Sequence, residues 1–290
     1  MFILVSRKLN NDILPMTNAV YKSVEPYLDI IKIGNDWMNN KYKNKEIKDV
    51  FIKSFDNLNL HGILLENKNS KGIIIETHGY RSTAQSDLYT SVFEYYNMGY
   101  SLLLIDNRCC NMSEGKYITF GIKESNDIIS WIKYINKKYP KQDIILAGIS
   151  MGATSILMSL DSIKKSMRVK KIIVDSGYIS PYDEVVYCIN HYFHIPGKLF
   201  INMIDIWCRL FGKFSLRDKD TITSMSNVKI PILFIHGLDD DFVLPINSKL
   251  NYEKYDGDKE LVLFDGASHG LSYLVDSKKY IKNIKKHLLK

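Results

Sequence analysis

The sequence predicts an α/β fold in which helices cover both faces of an eight-stranded, mostly parallel β-sheet. Several short runs are nearly all apolar, among them Gly72–Ile75, Leu102–Ile105 and Ile144–Ala147, as expected for strands buried on both faces. Segments with helical spacing separate these runs, and such alternation is typical of a doubly wound sheet. A chain of 290 residues can bury a core of this kind without disulfides or metals.

The eight predicted strands begin with an antiparallel pair. They are Val50–Phe55, Leu60–Leu65, Gly72–Thr77, Ser101–Ile105, Ile144–Ala147, Lys171–Val174, Ile232–Ile235 and Glu260–Phe264. Only the turn Asn57–Asn59 separates the first two, which favours an antiparallel edge. Helices are predicted at Ser86–Asn97, Lys123–Lys138, Met151–Lys164, Ile246–Lys254 and Leu271–Leu289.

Two segments depart from this alternation. Residues 1–46 are rich in Lys, Asn and Tyr and are interpreted as a helical preface to a main domain at 47–290. Nearly sixty residues separate the sixth and seventh strands, and they include the apolar, helical stretch Lys198–Phe214. Such a length is far beyond a simple crossover. It predicts a helical lid, at about 178–227, over the edge of the sheet where ligands bind.

Composition argues against several classes of protein. The net charge of +7 comes from basic residues spread along the chain, so no nucleic-acid partner is predicted. The four cysteines have no CxxC spacing and are interpreted as small buried side chains in a reducing compartment. The apolar run Phe2–Val5 is too short for a secretory signal, and no run reaches the roughly 18 apolar residues of a membrane span. A cytoplasmic location is therefore predicted.

The strongest chemical signal is Gly148-Ile-Ser150-Met-Gly152. It follows a predicted buried strand and opens a predicted helix. Two glycines at this spacing let a strand turn sharply into a helix and leave the serine exposed at the tip. Ser150 is therefore predicted to be a nucleophile, with the free N–H groups of the helix N-terminus close to it.

A serine nucleophile needs a base, and the base needs a carboxylate. His269 lies directly after the last predicted strand, where its imidazole would share an edge of the sheet with Ser150. The run Asp239–Asp241 follows the strand before and offers three acids, with Asp175 as an outside candidate. The neighbouring His236 is interpreted as a residue that shapes the turn.

An oxyanion hole needs two N–H donors. The backbone N–H of Met151 is predicted to be one, and that of Tyr80, in the loop after the third strand, the other. His78 is interpreted as holding this loop in shape. For Arg81, steering of an anionic group and pairing with a nearby acid stay equally open.

Two further patterns have ordinary interpretations. His191 and His194 would share one helix face, but the sequence offers no third ligand at metal spacing, so no metal site is predicted. The aromatic and Met-rich stretch is interpreted as packing, with lining of an acyl pocket as the alternative. It comprises Phe200, Met203, Trp207 and Phe211.

From about residue 48 onward, the sequence resembles bacterial α/β-hydrolases of the serine esterase and acyl-aminopeptidase-like type. The resemblance rests on His78–Tyr80, Asp106–Arg108 with Ser113 and Gly115, Gly148–Gly152, the signature His236-Gly-x-x-Asp240-x-x-Val243, and Gly266–His269. It implies the α/β-hydrolase fold and makes Asp240 the acid of a Ser150–His269–Asp240 triad. The chain departs from the family at Cys110-Asn111, where relatives have His-Gly. Asn111 tolerates the left-handed backbone that this turn requires.

The function that this resemblance implies is hydrolysis of carboxylic esters of small acyl substrates, with no metal or organic cofactor. An amidase or aminopeptidase activity is one alternative, and a non-catalytic binding protein of the same fold is another. Association with a membrane surface, through Val20–Trp37 or the apolar lid helix, is a less favoured idea. The sequence does not determine the oligomeric state.

Overall fold

The computed structural model describes residues 24–290 and contains all eight predicted strands. They are β1 (Ile47–Lys53), β2 (Asn59–Leu65), β3 (Ile73–Thr77), β4 (Ser101–Ile105), β5 (Ile144–Ile149), β6 (Val169–Asp175), β7 (Ile232–Gly237) and β8 (Lys259–Phe264). Their order across the sheet is β1-β2-β4-β3-β5-β6-β7-β8. Strand β2 is antiparallel to both β1 and β4, and all other pairs are parallel. The predicted mostly parallel sheet with an antiparallel edge is thereby confirmed.

Helices lie on both faces of this sheet. They are α1 (Leu28–Lys43), α2 (Ala84–Asp87), α3 (Val92–Asn97), α4 (Ile122–Lys138), α5 (Met151–Ser159), α6 (Pro181–Phe193), α7 (Gly197–Trp207), α8 (Thr221–Met225), α9 (Ile246–Lys254), α10 (Ser272–Val275) and α11 (Ser277–Leu289). Alternate strand residues point to opposite faces. In β3, for example, Ile73 and Ile75 pack with α4 and α5, whereas Ile74 packs with α1, α3 and α11.

Two predicted helices are each interrupted. The predicted segment Ser86–Asn97 overlaps the end of α2, which begins at Ala84, and contains α3. The loop between the two helices packs against α1, because a Cβ on Gly34 would lie only 2.2 Å from the Tyr89 carbonyl oxygen. The segment Leu271–Leu289 contains α10 and α11. It breaks at Asp276, whose side chain accepts a hydrogen bond of 2.9 Å from the Lys279 N–H and so starts a new helix.

The insertion between β6 and β7, residues 176–231, has a small core of its own. Helices α6 and α7 pack together through Val186, Ile189, Ile201 and Ile204. A single turn of π-helix, Cys208–Gly212, follows α7. Among the helices of residues 24–290, none combines the length and the apolar character of a membrane span.

The division of the chain into a preface at 1–46, a main domain at 47–290 and a lid at about 178–227 stays a prediction. The described part of the preface, 24–46, consists mainly of α1, which packs against the same face of the sheet as α3. Residues 1–23 of the preface, and with them the start of the alternative membrane contact Val20–Trp37, lie outside the described residues.

One buried glutamate in β3 makes stability depend on pH. Within residues 24–290, Oε2 of Glu76 has no hydrogen-bond partner, and burial raises the pKa of its carboxyl from 4.5 to about 8. Between these two values the folded chain holds a proton that the unfolded chain releases. The free energy of unfolding should therefore fall as pH rises from about 5 to 8, by up to about 1.4 kcal/mol per pH unit from this group.

Glu76→Gln removes that ionisation while keeping the shape of the side chain. We expect urea unfolding to show a flatter dependence on pH between about 5 and 8 for Glu76→Gln than for the unmodified chain. The exposed Glu253, on α9, provides a matched control, because Glu253→Gln should keep the original slope. Equal slopes for all three proteins would contradict the assignment.

Candidate active site

Ser150 lies at the sharp turn between β5 and α5. Its backbone has φ 55° and ψ −124°, a strained combination for a residue other than glycine. A Cβ on Gly152 would lie 2.4 Å from the Thr77 carbonyl oxygen, and one on Gly148 would lie 2.8 Å from Ile156 Cδ1. The two glycines are therefore required by close packing, and the turn holds the Ser150 hydroxyl above the carboxyl edge of the sheet.

Ser150, His269 and Asp240 form one hydrogen-bonded chain. Nε2 of His269 lies 2.8 Å from Oγ of Ser150, and its Nδ1 lies 2.7 Å from Oδ2 of Asp240. A carboxylate only accepts hydrogen bonds, so Nδ1 carries the hydrogen and Nε2 is left to accept from the serine hydroxyl. The turn after β5 and the loop after β8 thus bring together two residues, Ser150 and His269, that are 119 positions apart.

Asp240 is held by its own turn. Its Oδ1 accepts hydrogen bonds from the backbone N–H groups of Phe242, at 3.0 Å, and Val243, at 2.8 Å. Its Oδ2 is also 3.1 Å from Nε2 of His236. That nitrogen lies 2.8 Å from the Val243 carbonyl oxygen, so it carries a hydrogen, and Nδ1 of His236 accepts from the Ser248 hydroxyl at 2.6 Å. His236 shapes the turn, as the sequence predicts.

Asp240 and His269 each shift the pKa of the other. Burial alone would raise the pKa of Asp240, but the charge of His269 and the hydrogen bonds from His236 and His269 hold it well below its usual range. Burial alone would lower the pKa of His269. The Asp240 carboxylate outweighs this effect of burial, so the pKa of His269 lies above the ordinary 6.5. Asp240 is therefore charged at neutral pH and stabilises an imidazolium at His269.

The loop after β3 lies against Ser150. A Cβ on Gly79 would lie 3.2 Å from Ser150 Cβ. The Gly79 N–H donates to Oδ2 of Asp87 at 2.8 Å, and its carbonyl accepts from Nδ1 of His78 at 2.8 Å. Nε2 of His78 accepts from the Asn107 N–H at 3.0 Å. His78 thus anchors the loop, in agreement with the interpretation from sequence.

Tyr80 follows this anchored glycine, and Met151 is the first residue of α5. Their backbone N–H groups therefore belong to the two segments that flank Ser150. The Tyr80 ring stacks on Phe120, with centroids 5.5 Å apart. Arg81 is exposed and lies beside the Tyr80 hydroxyl.

The loop after β4 supports the site from below. The Asp106 carboxylate accepts hydrogen bonds from the Ala84 N–H, at 3.1 Å, and from the side chains of His61, at 2.6 Å, and Asn111, at 2.8 Å. Asn111 has φ 44°, so the left-handed turn survives the departure from the family pattern, as predicted. Arg108 is buried between Asp127 and Asp56 and serves the fold.

Helix α6 of the insertion forms a wall of the site. The Tyr187 hydroxyl donates to the Asp241 carbonyl at 2.6 Å. The Tyr192 ring lies 6.0 Å from that of Phe242, which in turn makes an edge contact of 5.0 Å with His269. Burial raises the pKa of Glu184, also on α6, to about 8, and the nearby His269 opposes part of the rise.

Sequence reasoning missed two acids of this site, Asp87 and Glu184. Neither belongs to a recognisable motif. Asp87 is notable only as an acid at the start of a predicted helix, and Glu184 as an acid within the insertion. Their roles depend on which loop each side chain meets, and spacing along the chain does not reveal that.

The other candidates are not members of the hydrogen-bonded chain. Asp239 and Asp241 are exposed. Asp175 is buried and accepts from the hydroxyls of Ser176, at 2.9 Å, and Ser272, at 3.3 Å. His191 and His194 are exposed. In residues 24–290, no group of three or more His, Cys, Asp or Glu side chains is placed to hold a metal ion.

The interpretation of the aromatic stretch as packing is wrong. Between 38% and 51% of the surface of Phe200, Met203, Trp207 and Phe211 is exposed. The residues of this segment that do pack are Ile201, Ile204 and Cys208, which are spaced by three and four positions.

The chain has the α/β-hydrolase fold. In this fold a serine lies at a strand-to-helix turn above a mostly parallel eight-stranded sheet, and an aspartate and a histidine follow the last two strands. No family model matches the chain. Among curated proteins, the uncharacterized protein YqkD of Bacillus subtilis strain 168 is 24% identical over 265 residues, which cover 90% of this chain and 86% of YqkD.

Solved structures share this fold over most of the chain. One structure of the esterase Pf2001 from Pyrococcus furiosus is 25% identical, with a TM-score of 0.70, and the match covers 84% of this chain and 91% of that one. A structure of Est1E from Butyrivibrio proteoclasticus with bound ferulic acid is 17% identical, with a TM-score of 0.64, and covers 83% of this chain and 100% of that one. The predicted α/β-hydrolase fold is confirmed.

Proposed function

We propose that the protein is a serine hydrolase that cleaves carboxylic esters of small acyl substrates through an acyl-enzyme. The observation that carries this proposal is the hydrogen-bonded chain from Ser150 through His269 to Asp240, with distances of 2.8 and 2.7 Å. A nucleophile, a base and an orienting acid in this geometry are the requirements of acyl transfer.

In this mechanism Oγ of Ser150 attacks the ester carbonyl carbon while its proton passes to Nε2 of His269. The backbone N–H groups of Tyr80 and Met151 stabilise the oxyanion. The imidazolium then gives its proton to the departing alcohol oxygen, and the acyl group stays on Ser150. Water, deprotonated by His269, then attacks the acyl carbonyl carbon. The bond from Ser150 Oγ to the acyl group breaks, the imidazolium returns its proton to Oγ, and the carboxylic acid leaves. Asp240 keeps the imidazole in the required tautomer throughout.

Esters are favoured over amides because Pf2001, among the similar structures, is an esterase. This support is analogy at the level of fold. Hydrolysis of amides or aminoacyl bonds by the same residues is the second candidate. A non-catalytic binding role is the third, but the anchoring of Asp240 and of the Gly79 loop serves no evident purpose in a protein that only binds.

The test combines an active-site probe with a graded set of substrates. A fluorophosphonate should label the protein at Ser150, as mapped by mass spectrometry, and p-nitrophenyl esters from acetate to decanoate should be hydrolysed. Aminoacyl p-nitroanilides, assayed beside them, separate an esterase from an amidase. Absence of labelling together with absence of turnover would reject the proposal in favour of a binding protein.

The pH dependence of ester hydrolysis should follow His269. Protonated His269 cannot accept the proton of Ser150, so kcat/KM should fall as pH drops below the pKa of this histidine. Because Asp240 raises that pKa, we expect the midpoint of the acid limb above pH 6.5. Glu184 lies near His269, but its carboxyl has a pKa of about 8 and is mostly protonated at this midpoint. Glu184→Gln should therefore leave the midpoint nearly unchanged. A midpoint below about pH 6 in the unmodified enzyme would contradict this electrostatic arrangement.

A further inference from the structure

The segment 193–213 of the insertion has an unusually apolar surface. We call its exposed large apolar side chains the insertion face. They are Phe193, Ile195, Leu199, Phe200, Met203, Ile206, Trp207, Leu210 and Phe211. Single exposed apolar residues are common on soluble proteins, but a contiguous group of this size marks an interaction site.

The spacing of four of these residues places them on one side of the segment. Leu199, Met203, Ile206 and Leu210 recur at intervals of four, three and four residues, the repeat of one helix face. Trp207 stacks on Phe211, with ring centroids 4.4 Å apart, beside this stripe. The opposite side of α7 is apolar as well, because Ile201 and Ile204 pack against α6. A helix that is apolar on both sides is normally buried on both sides, yet 75% of Leu199 is exposed.

The exposed charged residues within the segment 193–213 have one sign. Lys198, Arg209 and Lys213 are exposed in this segment. Its single acid, Asp205, is buried, with a side chain only 4% exposed, and is paired with Arg209 and Arg217. The surface therefore combines large apolar side chains with a basic rim. Leu, Phe and Trp on one face with Lys and Arg beside them are typical of helices that lie in the interface of a membrane.

We propose that the insertion face binds the surface of an anionic phospholipid bilayer, with α7 lying in the plane of the head groups. The apolar side chains enter the boundary between head groups and acyl chains, and Lys198 and Lys213 face the phosphates. From the sequence alone, membrane association is a less favoured idea, whereas the exposed apolar side chains of the insertion face now favour it. The proposal concerns location and does not depend on ester hydrolysis.

A second copy of the chain is a poorer occupant of this surface. Two insertion faces brought together would place two basic rims close to each other, with no exposed acid in either segment to pair them. Like charges in an interface are unfavourable. An anionic bilayer instead supplies the missing negative charge.

The experiment is co-sedimentation of the full chain with vesicles of two compositions. One set contains phosphatidylcholine alone, and the other contains phosphatidylcholine with about 30% phosphatidylglycerol. We expect binding to the anionic vesicles to be at least tenfold tighter than to the neutral ones, and to weaken in 0.5 M salt. The double variant Leu199→Gln/Leu210→Gln should lose at least tenfold in binding to anionic vesicles.

Ile33 and Leu289 provide the matched control, because both are exposed and lie outside the insertion. Ile33→Gln/Leu289→Gln should bind as the unmodified chain does, and thermal melts should show that both double variants are folded. No binding to either vesicle, or equal loss in both double variants, would overturn the proposal. So would a dimer, detected by analytical ultracentrifugation without lipid, that dissociates on Leu199→Gln/Leu210→Gln.

Discussion

Ser150→Ala is expected to lower kcat for p-nitrophenyl acetate by about 10⁴- to 10⁶-fold. The substitution removes the only oxygen within hydrogen-bond distance of His269 Nε2 that the described residues provide there, at 2.8 Å. The turn itself should persist, because its shape depends on Gly148 and Gly152 and on the hydrogen bond of 2.8 Å from the Ser150 N–H to the Asp175 carbonyl. Initial rates under saturating substrate, with a thermal melt for each protein, provide the measurement.

Ser159→Ala is the matched control for this prediction. Ser159 ends α5, is buried, and donates only to the Ile156 carbonyl within its own helix, at 2.7 Å. Its removal should change kcat by less than about threefold. Undiminished turnover in Ser150→Ala would mean that another group is the nucleophile, and the proposed triad would be abandoned.

Asp240→Asn is expected to lower kcat by about 10³- to 10⁴-fold. The amide matches the carboxylate in shape, but it can no longer hold the imidazolium by charge. If its oxygen accepts from Phe242 and Val243 as Oδ1 does now, its NH₂ group faces His269 Nδ1. That arrangement favours the wrong imidazole tautomer, in which Nε2 cannot accept the proton of Ser150.

The two aspartates that flank Asp240 in the sequence provide matched controls for this substitution. Asp239 and Asp241 are exposed, whereas Asp240 is buried. Asp239→Asn and Asp241→Asn should each retain activity within about threefold. An equally large loss in either neighbour, or a small loss in Asp240→Asn, would show that the geometry of the turn assigns the acid wrongly.

Much of the fold could be predicted from the sequence because it depends on local patterns. Runs such as Leu102–Ile105 are apolar on both faces, and only a buried strand accommodates them. The Gly148–Gly152 spacing likewise predicts the turn at Ser150. Helix breaks were harder to predict, because the break at Asp276 depends on a single capping side chain within a continuous apolar repeat.

The candidate site was predictable in part. The residues alone left Asp239, Asp240 and Asp241 open, and the resemblance to serine hydrolases singled out Asp240. In the structure, two backbone N–H groups orient Asp240 toward His269 while its neighbours point to solvent. Glu184 could not be predicted, because its position beside His269 results from the docking of α6 on the loop at Asp241.

The sequence by itself therefore determined the strands, the sharp turn at Ser150 and the chain order of serine, aspartate and histidine, since each depends on neighbours a few positions away. Only the tertiary structure decided the order of strands across the sheet, the meeting of Ser150 with His269, and the exposure of one side of α7. The physical reason is the same in each case. Apolar periodicity shows which residues avoid water, but it does not show which surface covers them, and for Leu199 and Leu210 no surface in residues 24–290 does.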